Sequence, residues 1–248
     1  MSHIRGFIGT SLIDYPGHVA CVLFVGGCNL HCPYCHNSDL VLCPDSRPAI
    51  PFEHLMADIE RRLGFIDGVV VTGGEPTLYP DLIDLLQALR TMGLDVKLDT
   101  NGSHPAVLRD WLDKGVLHYV AMDIKSSPAR YHRAAGRPVD IGAISASLDL
   151  LRRSGCPHEF RTTVVPTLLD AKDIEEIARW IAGPSPYFLQ QFQPQGCLDP
   201  YFNTIKPYEV VELEEMAAKA RSYLDNVSLR GVGGRDEPQM APGYASIS

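Results

Sequence analysis

Along this chain the hydrophobic positions change period in a regular way. Short runs that are apolar at nearly every residue alternate with longer stretches in which apolar residues recur every three or four. Val19–Val25 reads Val-Ala-Cys-Val-Leu-Phe-Val, as a strand covered on both faces of a parallel sheet does. Gly68–Val71, Leu94–Leu98, His118–Met122, Glu159–Val165 and Pro186–Phe192 predict five further strands, and Asn226–Arg230 is open to a short additional one. Between them helical spacing covers Phe52–Leu63 through Leu55, Ile59 and Leu63, and Asp81–Met92 through Leu82, Leu85, Leu86 and Leu89, with Gly93 as its stop. Helices are also predicted at Pro105–Leu112, Ile144–Arg153, Asp170–Ile181 and Lys206–Leu224. Ser38–Pro51, with its prolines, reads as a connecting loop.

Strand and helix alternate from one end to the other, which is the signature of an α/β fold with a parallel sheet. Six strand–helix units are two short of a closed eight-stranded barrel, so the expectation is a partial (β/α)6 barrel, TIM-like and laterally open. It spans residues 1–230. Residues 231–248, rich in Gly, Pro and small polar groups, are expected to form a flexible tail.

Composition narrows the partners. With 248 residues and 45% hydrophobic content the chain can bury one sizeable core. Its net charge of -8 creates no overall field for nucleic acid or an anionic membrane, and no apolar run reaches membrane-spanning length. Met1–Gly6 lacks the apolar core of a signal peptide, so a cytoplasmic location is expected.

Seven cysteines, an odd number, do not read as a disulfide framework. Three of them, Cys28, Cys32 and Cys35, form a CxxxCxxC triplet directly after the first predicted strand, where loops of α/β barrels carry chemistry. Thiolates at this density select zinc, copper(I) or iron–sulfur clusters. A closed zinc site wants four ligands, which His31 or His36 could complete. A 4Fe–4S cube held by three cysteines instead keeps one iron open to a substrate or cofactor. Cys21, Cys43, Cys156 and Cys197 stand apart and read as small buried or indifferent thiols.

The triplet, with an aromatic before its last cysteine, resembles the cluster loop of the radical S-adenosylmethionine (SAM) superfamily. Leu12-Ile13-Asp14-Tyr15-Pro16-Gly17 and Cys35-His36-Asn37 make the chain similar to the activating enzymes of glycyl-radical enzymes, those of anaerobic ribonucleoside-triphosphate reductase and pyruvate formate-lyase. The likeness runs from about residue 6 to residue 231. It implies one reduced 4Fe–4S cluster on Cys28, Cys32 and Cys35 that cleaves SAM to methionine and a 5'-deoxyadenosyl radical. That radical would take a hydrogen atom from a glycine of the partner enzyme, with a flavodoxin or ferredoxin as electron donor. The open side of the barrel would admit the partner's loop. Only Cys156 and Cys197 lie beyond residue 43 and no cysteine-rich insert follows the triplet, so a single cluster is expected.

By the same resemblance, Gly73, Gly74 and Glu75 take the amino group of SAM and Lys125 its carboxylate. Asp99 and Asp123 hydrogen-bond around SAM or a monovalent cation. Arg161 and Thr163, on one face of a strand, are candidates for the ribose and carboxylate. Read from the residues alone, Gly-Gly-Glu-Pro is also an ordinary turn, and Asp99, Asp123 and Lys125 also make a structural ion pair at a barrel rim. Tyr34 touches the adenine or simply packs. Trp111 reads as core. Asp14 and His36 position the loop or the partner, and no side chain is assigned as general acid or base. The basic segment Tyr131–Val139, with Arg130, Arg133 and Arg137 beside it or within it, is either solvated or greets the partner. Two other classes stay open: a radical SAM enzyme acting on a small molecule, as 7-carboxy-7-deazaguanine synthases do, and a metal-binding module without catalysis.

Overall fold

The run without polar residues after Val19 forms a strand, Ala20–Val25 (β2), in which every residue is buried. In the computed structural model, which describes residues 3–232, β2 is the second of eight strands in one sheet whose spatial order follows the chain. The others are Ile4–Ser11 (β1), Gly68–Gly73 (β3), Asp95–Thr100 (β4), Tyr119–Asp123 (β5), His158–Val164 (β6), Tyr187–Gln191 (β7) and Val227–Arg230 (β8). Every pairing from β2 to β8 is parallel, and only β1 runs antiparallel, against β2. Since β1 and β8 end the order without pairing, the sheet curls but does not close. The fold is a partial TIM-like barrel, as the strand–helix alternation predicts, with the short strand at 227–230 realised as β8.

Helices lie between the parallel strands: Ser38–Leu42 (α1), Phe52–Glu60 (α2), Ile83–Thr91 (α3), Pro105–Asp113 (α4), Tyr131–Ala135 (α5), Ile141–Ser154 (α6), Ala171–Trp180 (α7) and Val210–Ala220 (α8). Caps set several of their ends. Asp140 accepts from the amides of Gly142 and Ala143, so α6 starts three residues before the predicted Ile144. Asp170 and Asp173 form a capping box at α7. Glu209 and Glu212 do the same at α8, which begins later than the predicted Lys206.

The sequence pattern misses two kinds of element. β1 is invisible because its register against β2 shifts twice, between Ile4 and Gly6 and between Ile8 and Ser11, so its apolar residues do not alternate with period two. The segments read as loops at Ser38–Pro51 and Tyr131–Val139 each carry a five-residue helix, α1 and α5, too short to show a period. The tail expected over 231–248 lies, from residue 233 on, outside the described residues.

The two faces of the sheet differ in kind. Cys21, Leu23 and Val25 of β2 join the large core under the helices, together with Val69, Val71, Val96, Leu98, Val120, Met122 and Phe160. Ala20, Val22 and Phe24 point the other way and pack with Val70, Tyr15 and Leu40 in a smaller cluster. Register extends this inner face, because residues opposed across a ladder share a side: Val22, Val70, Lys97 and Tyr119 are paired in succession, and so are Asp123, Arg161, Phe188 and Ser228. The lumen is therefore apolar along β2 and β3, and its charged groups come from β4, β5, β6 and β8.

Trp111 of α4 is fully buried in the large core, as expected of a packing residue. Trp111→Ala is expected to cost about 3–5 kcal/mol of unfolding free energy, read from denaturant melts.

Candidate active site

Parallel strands end on one side of the sheet, and the cysteines and the candidate SAM-binding residues follow or lie near those ends, whereas Asp14, expected to position the loop or the partner, precedes β2 at the opposite end and accepts from Ser11 Oγ. The cysteine loop follows β2, Gly73 to Glu75 close β3, Asp99 is the penultimate residue of β4, Asp123 ends β5 with Lys125 two residues on, and Arg161 and Thr163 lie in β6.

The loop carrying Cys28, Cys32 and Cys35 is clasped by its neighbours through backbone contacts. Glu75 N donates to Gly27 O at 2.9 Å and Gly74 N to Val25 O at 2.8 Å. The approach leaves no room for a side chain: a Cβ on Gly74 would stand 1.8 Å from Gly27 O. Gly73, at φ +113, adopts a conformation that favours glycine. On the far side Leu198 N donates to Cys35 O and Asp199 N to Pro33 O, at 2.9 and 2.8 Å, while His31 N donates to Ala135 O at 2.9 Å. His36 Nε2 lies 2.9 Å from Gln193 O, and Asn37 Nδ2 donates to Gly73 O at 3.1 Å.

Glu75 is buried, and its carboxylate faces the protein. Oε1 accepts from Thr77 N, Thr77 Oγ1 and Thr100 Oγ1 at 3.0, 2.5 and 2.7 Å, and Oε2 accepts from Asn101 N at 2.7 Å. It thereby locks the end of β3 to the end of β4. Asn101 in turn donates to Asn29 Oδ1 at 2.9 Å, and Asn29 donates to Ser103 Oγ at 2.9 Å, which fixes the loop beside Cys28. Sequence reasoning did not single out Thr77, Thr100, Asn101 or Asn29. Their signal was weak, since polar residues after strands are ordinary in turns.

The charged half of the lumen forms a ladder of alternating sign. Lys97 Nζ is 2.5 Å from Asp99 Oδ1, and Arg161 Nη1 is 3.4 Å from Asp99 Oδ2. Arg161 Nε is 2.8 Å from Asp123 Oδ1, and Lys125 Nζ is 3.0 Å from Asp123 Oδ2. Burial by itself would raise both carboxyls, but Arg161 with Lys97, and Arg161 with Lys125, outweigh it and hold Asp99 and Asp123 below the usual carboxylate range. Burial would lower Lys125, yet Asp123, Tyr34 and Cys32 raise it well above an ordinary lysine. Deeper in the lumen Arg230 grips both oxygens of the buried Glu159, at 2.9 and 3.2 Å, and Tyr119 donates to the same carboxylate at 2.9 Å. Lys97, Glu159 and Arg230 were missed by sequence reasoning. The available clue was the spacing of Lys97 with Asp99 and of Glu159 with Arg161, charges two apart in otherwise apolar strands.

Thr163 shares the inner face with Arg161, and its register partner is Gln190. Tyr34 is buried, its hydroxyl has no hydrogen-bond partner among the described residues, and burial followed by Cys32 pushes its ionisation well up. The three thiols are raised chiefly by burial, Cys28 to about 12 and Cys32 to about 11. Cys28 Sγ accepts from Leu30 N at 3.4 Å. A zinc ion needs donors converging on one point within about 2.0–2.3 Å; among the described residues no three of His, Cys, Asp and Glu are gathered to hold a single ion. The cysteines of a cubane each take a separate iron. Among the described residues no helix is long and apolar enough to cross a membrane.

The described residues thus form an open α/β barrel with three thiols on its carboxyl rim and a paired ionic lumen. Residues 22–181 match the Radical SAM superfamily. A protein of Methanocaldococcus jannaschii, whose name assigns it provisionally to the glycyl-radical enzyme activating enzymes, is 35% identical over 240 residues, covering 94% of this chain and 98% of the relative. A pyruvate formate-lyase-activating enzyme of Clostridium pasteurianum is 26% identical, covering 91% and 96%, and a 7-carboxy-7-deazaguanine synthase of Hyperthermus butylicus is 29% identical, covering 73% and 84%. Among solved structures, Streptococcus suis SuiB bound to its precursor peptide SuiA shares the fold at a TM-score of 0.65 and 18% identity, over 85% of this chain and 48% of SuiB. The chain belongs to the radical SAM superfamily and is an enzyme of it. A 4Fe–4S cluster and SAM are the cofactors of that superfamily.

Folded carboxyls held low add stability above the unfolded carboxyl value, about 3.9, and lose it as the pH falls through their own lower values. The contribution of Asp99 and Asp123 is therefore expected to stay whole from neutral pH down to about pH 5, to fall progressively below about pH 4, and to vanish only beneath their own lowered values. Asp123→Asn should flatten that acid limb while costing roughly 2 kcal/mol or more at neutral pH, because Arg161 and Lys125 lose a shared partner. Urea melts across the acid range check both.

Proposed function

We propose that the chain is an activase of glycyl-radical enzymes, with anaerobic ribonucleotide reductase as its partner. One observation carries the reading: the thiol trio shares the carboxyl rim with an ion ladder that has one more cation than carboxylates, Lys97, Arg161 and Lys125 against Asp99 and Asp123. That surplus suits the carboxylate of an amino-acid cofactor, and the open edge of the sheet between β1 and β8 suits a loop of a large partner. The family relationship and the similarity to activating enzymes support it.

The donor set fits a 4Fe–4S cluster. Three cysteines from one rigid loop would each hold one iron, and because burial keeps the thiols protonated, loading would release protons. A bound cluster would supply one-electron reductive cleavage of SAM, the chemistry needed to take a hydrogen atom from the partner's glycine. This chain's residues orient and enclose. Lys125 takes the carboxylate of SAM, with Arg161 and Thr163 beside it for carboxylate and ribose. Asp99 and Asp123 hold those cations in place and accept from hydroxyls at the rim, and Tyr34 backs the adenine. Since the Glu75 side chain is engaged by Thr77, Thr100 and Asn101, the share of Gly73, Gly74 and Glu75 in binding the amino group falls to their backbone. A flavodoxin or ferredoxin is the proposed electron donor.

Anaerobic reconstitution is expected to load about four irons with sulfide per chain, and alanine at Cys28, Cys32 and Cys35 together to abolish the loading. With reductant, SAM and the reductase, deoxyadenosine should form and an organic radical should appear on the partner by electron spin resonance. Zinc in place of iron and sulfide would overturn the reading. Turnover of a pterin with magnesium and no partner protein would replace it with the deazaguanine-synthase type of activity.

Arg133 and Arg137 are exposed near the loop that holds His31, whereas Arg130 is spent on Asp170 and Asp173. Reversing Arg133 and Arg137 to Glu is expected to slow partner activation about tenfold at low salt, with a smaller effect at high salt.

A further inference from the structure

The resemblance carries the expectation of a monovalent cation beside Asp99 and Asp123, and the residues there do not leave a place for one. Each of the four carboxylate oxygens faces a cationic nitrogen: Asp99 Oδ1 meets Lys97, Asp99 Oδ2 and Asp123 Oδ1 meet Arg161, and Asp123 Oδ2 meets Lys125. To be held by these two carboxylates, an alkali ion would need oxygens whose negative charge is not already balanced. Here it would enter a group of two carboxylates and three cations, against a surplus of positive charge.

Lys97 makes the difference. It stands on β4 two residues before Asp99, so both side chains share the inner face. Its register partners are Val70 of β3 and Tyr119 of β5, and its side chain is only 2% exposed. A lysine seated between an apolar strand and a tyrosine, with its nitrogen 2.5 Å from a carboxylate, is held by that carboxylate, because burial without a partner would be costly. The contact is that of an ion pair, made by the carboxylate oxygen other than the one that faces Arg161.

We propose that the ammonium of Lys97 is the resident cation of this site: it balances Asp99 from within the sheet, so the chain needs neither sodium nor potassium there and acquires that need once Lys97 loses its charge. A positioning role follows. Lys97 holds Asp99 so that Arg161 is shared between Asp99 and Asp123 and stays aligned with the rim.

The test uses the full-length chain without cluster or SAM, so its outcome is separate from that of the activase reading. Thermal unfolding is compared in sodium, potassium and tetramethylammonium chloride at matched ionic strength, and sodium NMR linewidths report ion binding. The unmodified chain is expected to melt at one temperature in all three salts and to show no sodium broadening that potassium competes away. Lys97→Met should melt roughly 10 °C lower in the tetramethylammonium salt, the scale on which stranding a buried carboxylate moves a chain of this length. It should recover much of that loss in sodium or potassium, with competable broadening, and Lys97→Met combined with Asp99→Asn should lose the cation response. Lys97→Gln, with more room for an ion, serves as the second single variant. A saturable rise in melting temperature for the unmodified chain, specific to sodium or potassium, would overturn the proposal. So would single variants that are equally unstable, or unfolded, in every salt.

Discussion

Five charged side chains, alternating in sign from Lys97 through Asp99, Arg161 and Asp123 to Lys125, run across three neighbouring strands in a lumen that is otherwise closed to water on its apolar side. The desolvation cost of any one of them is met only if its neighbours stand in the right register. A slip of β4 or β6 by a single residue would turn these groups toward the helix-covered face, where Val96, Leu98 and Phe160 now pack. The ladder thus penalises every alternative pairing of the sheet at the place where the sheet must be in order for the rim to be in order. It also explains why an open barrel can keep polar side chains inside: the open edge hydrates the rim while the paired charges need little water further down.

The cysteine loop depends on the same order at one remove. Nothing in its own sequence makes it rigid. Backbone donors from the end of β3 and from the segment after β7 converge on its carbonyls, its own His31 N donates to Ala135 O after β5, and Asn29 and Asn101 tie it to the end of β4. Gly74 is glycine because Gly27 O lies where its Cβ would be, so the turn after β3 and the loop after β2 are one packed unit. Glu75 serves that unit from inside by joining β3 to β4 through hydrogen bonds to both carboxylate oxygens. A site assembled from so many strand ends is held to its geometry by the whole sheet.

Much of this was legible before any coordinates. The apolar run at Val19–Val25, the helical stripes through Leu85, Leu86 and Leu89 and through Ile174 and Ile177, and the alternation of the two periods predict a parallel sheet with helices over one face, because burial on both sides leaves no tolerance for polar residues in such strands. The thiol triplet reads as a soft-metal loop on spacing alone. β1 escaped since its bulges scramble the period, and α1 and α5 escaped since five residues make too few turns to display one.

Sequence by itself determined which segments become strand or helix, which loop bears the thiols, and which family the chain resembles, for these follow from local period and residue spacing. Tertiary structure alone decided what each polar group faces. It turned the carboxylate of Glu75 inward onto Thr77, Thr100 and Asn101, and it set Lys97 against Asp99 and Arg161 between two aspartates. The reason is that a charge finds its partner across strands: Asp123 and Arg161 are 38 residues apart in the chain yet opposed in register, and only the closing curl of the sheet brings them within reach.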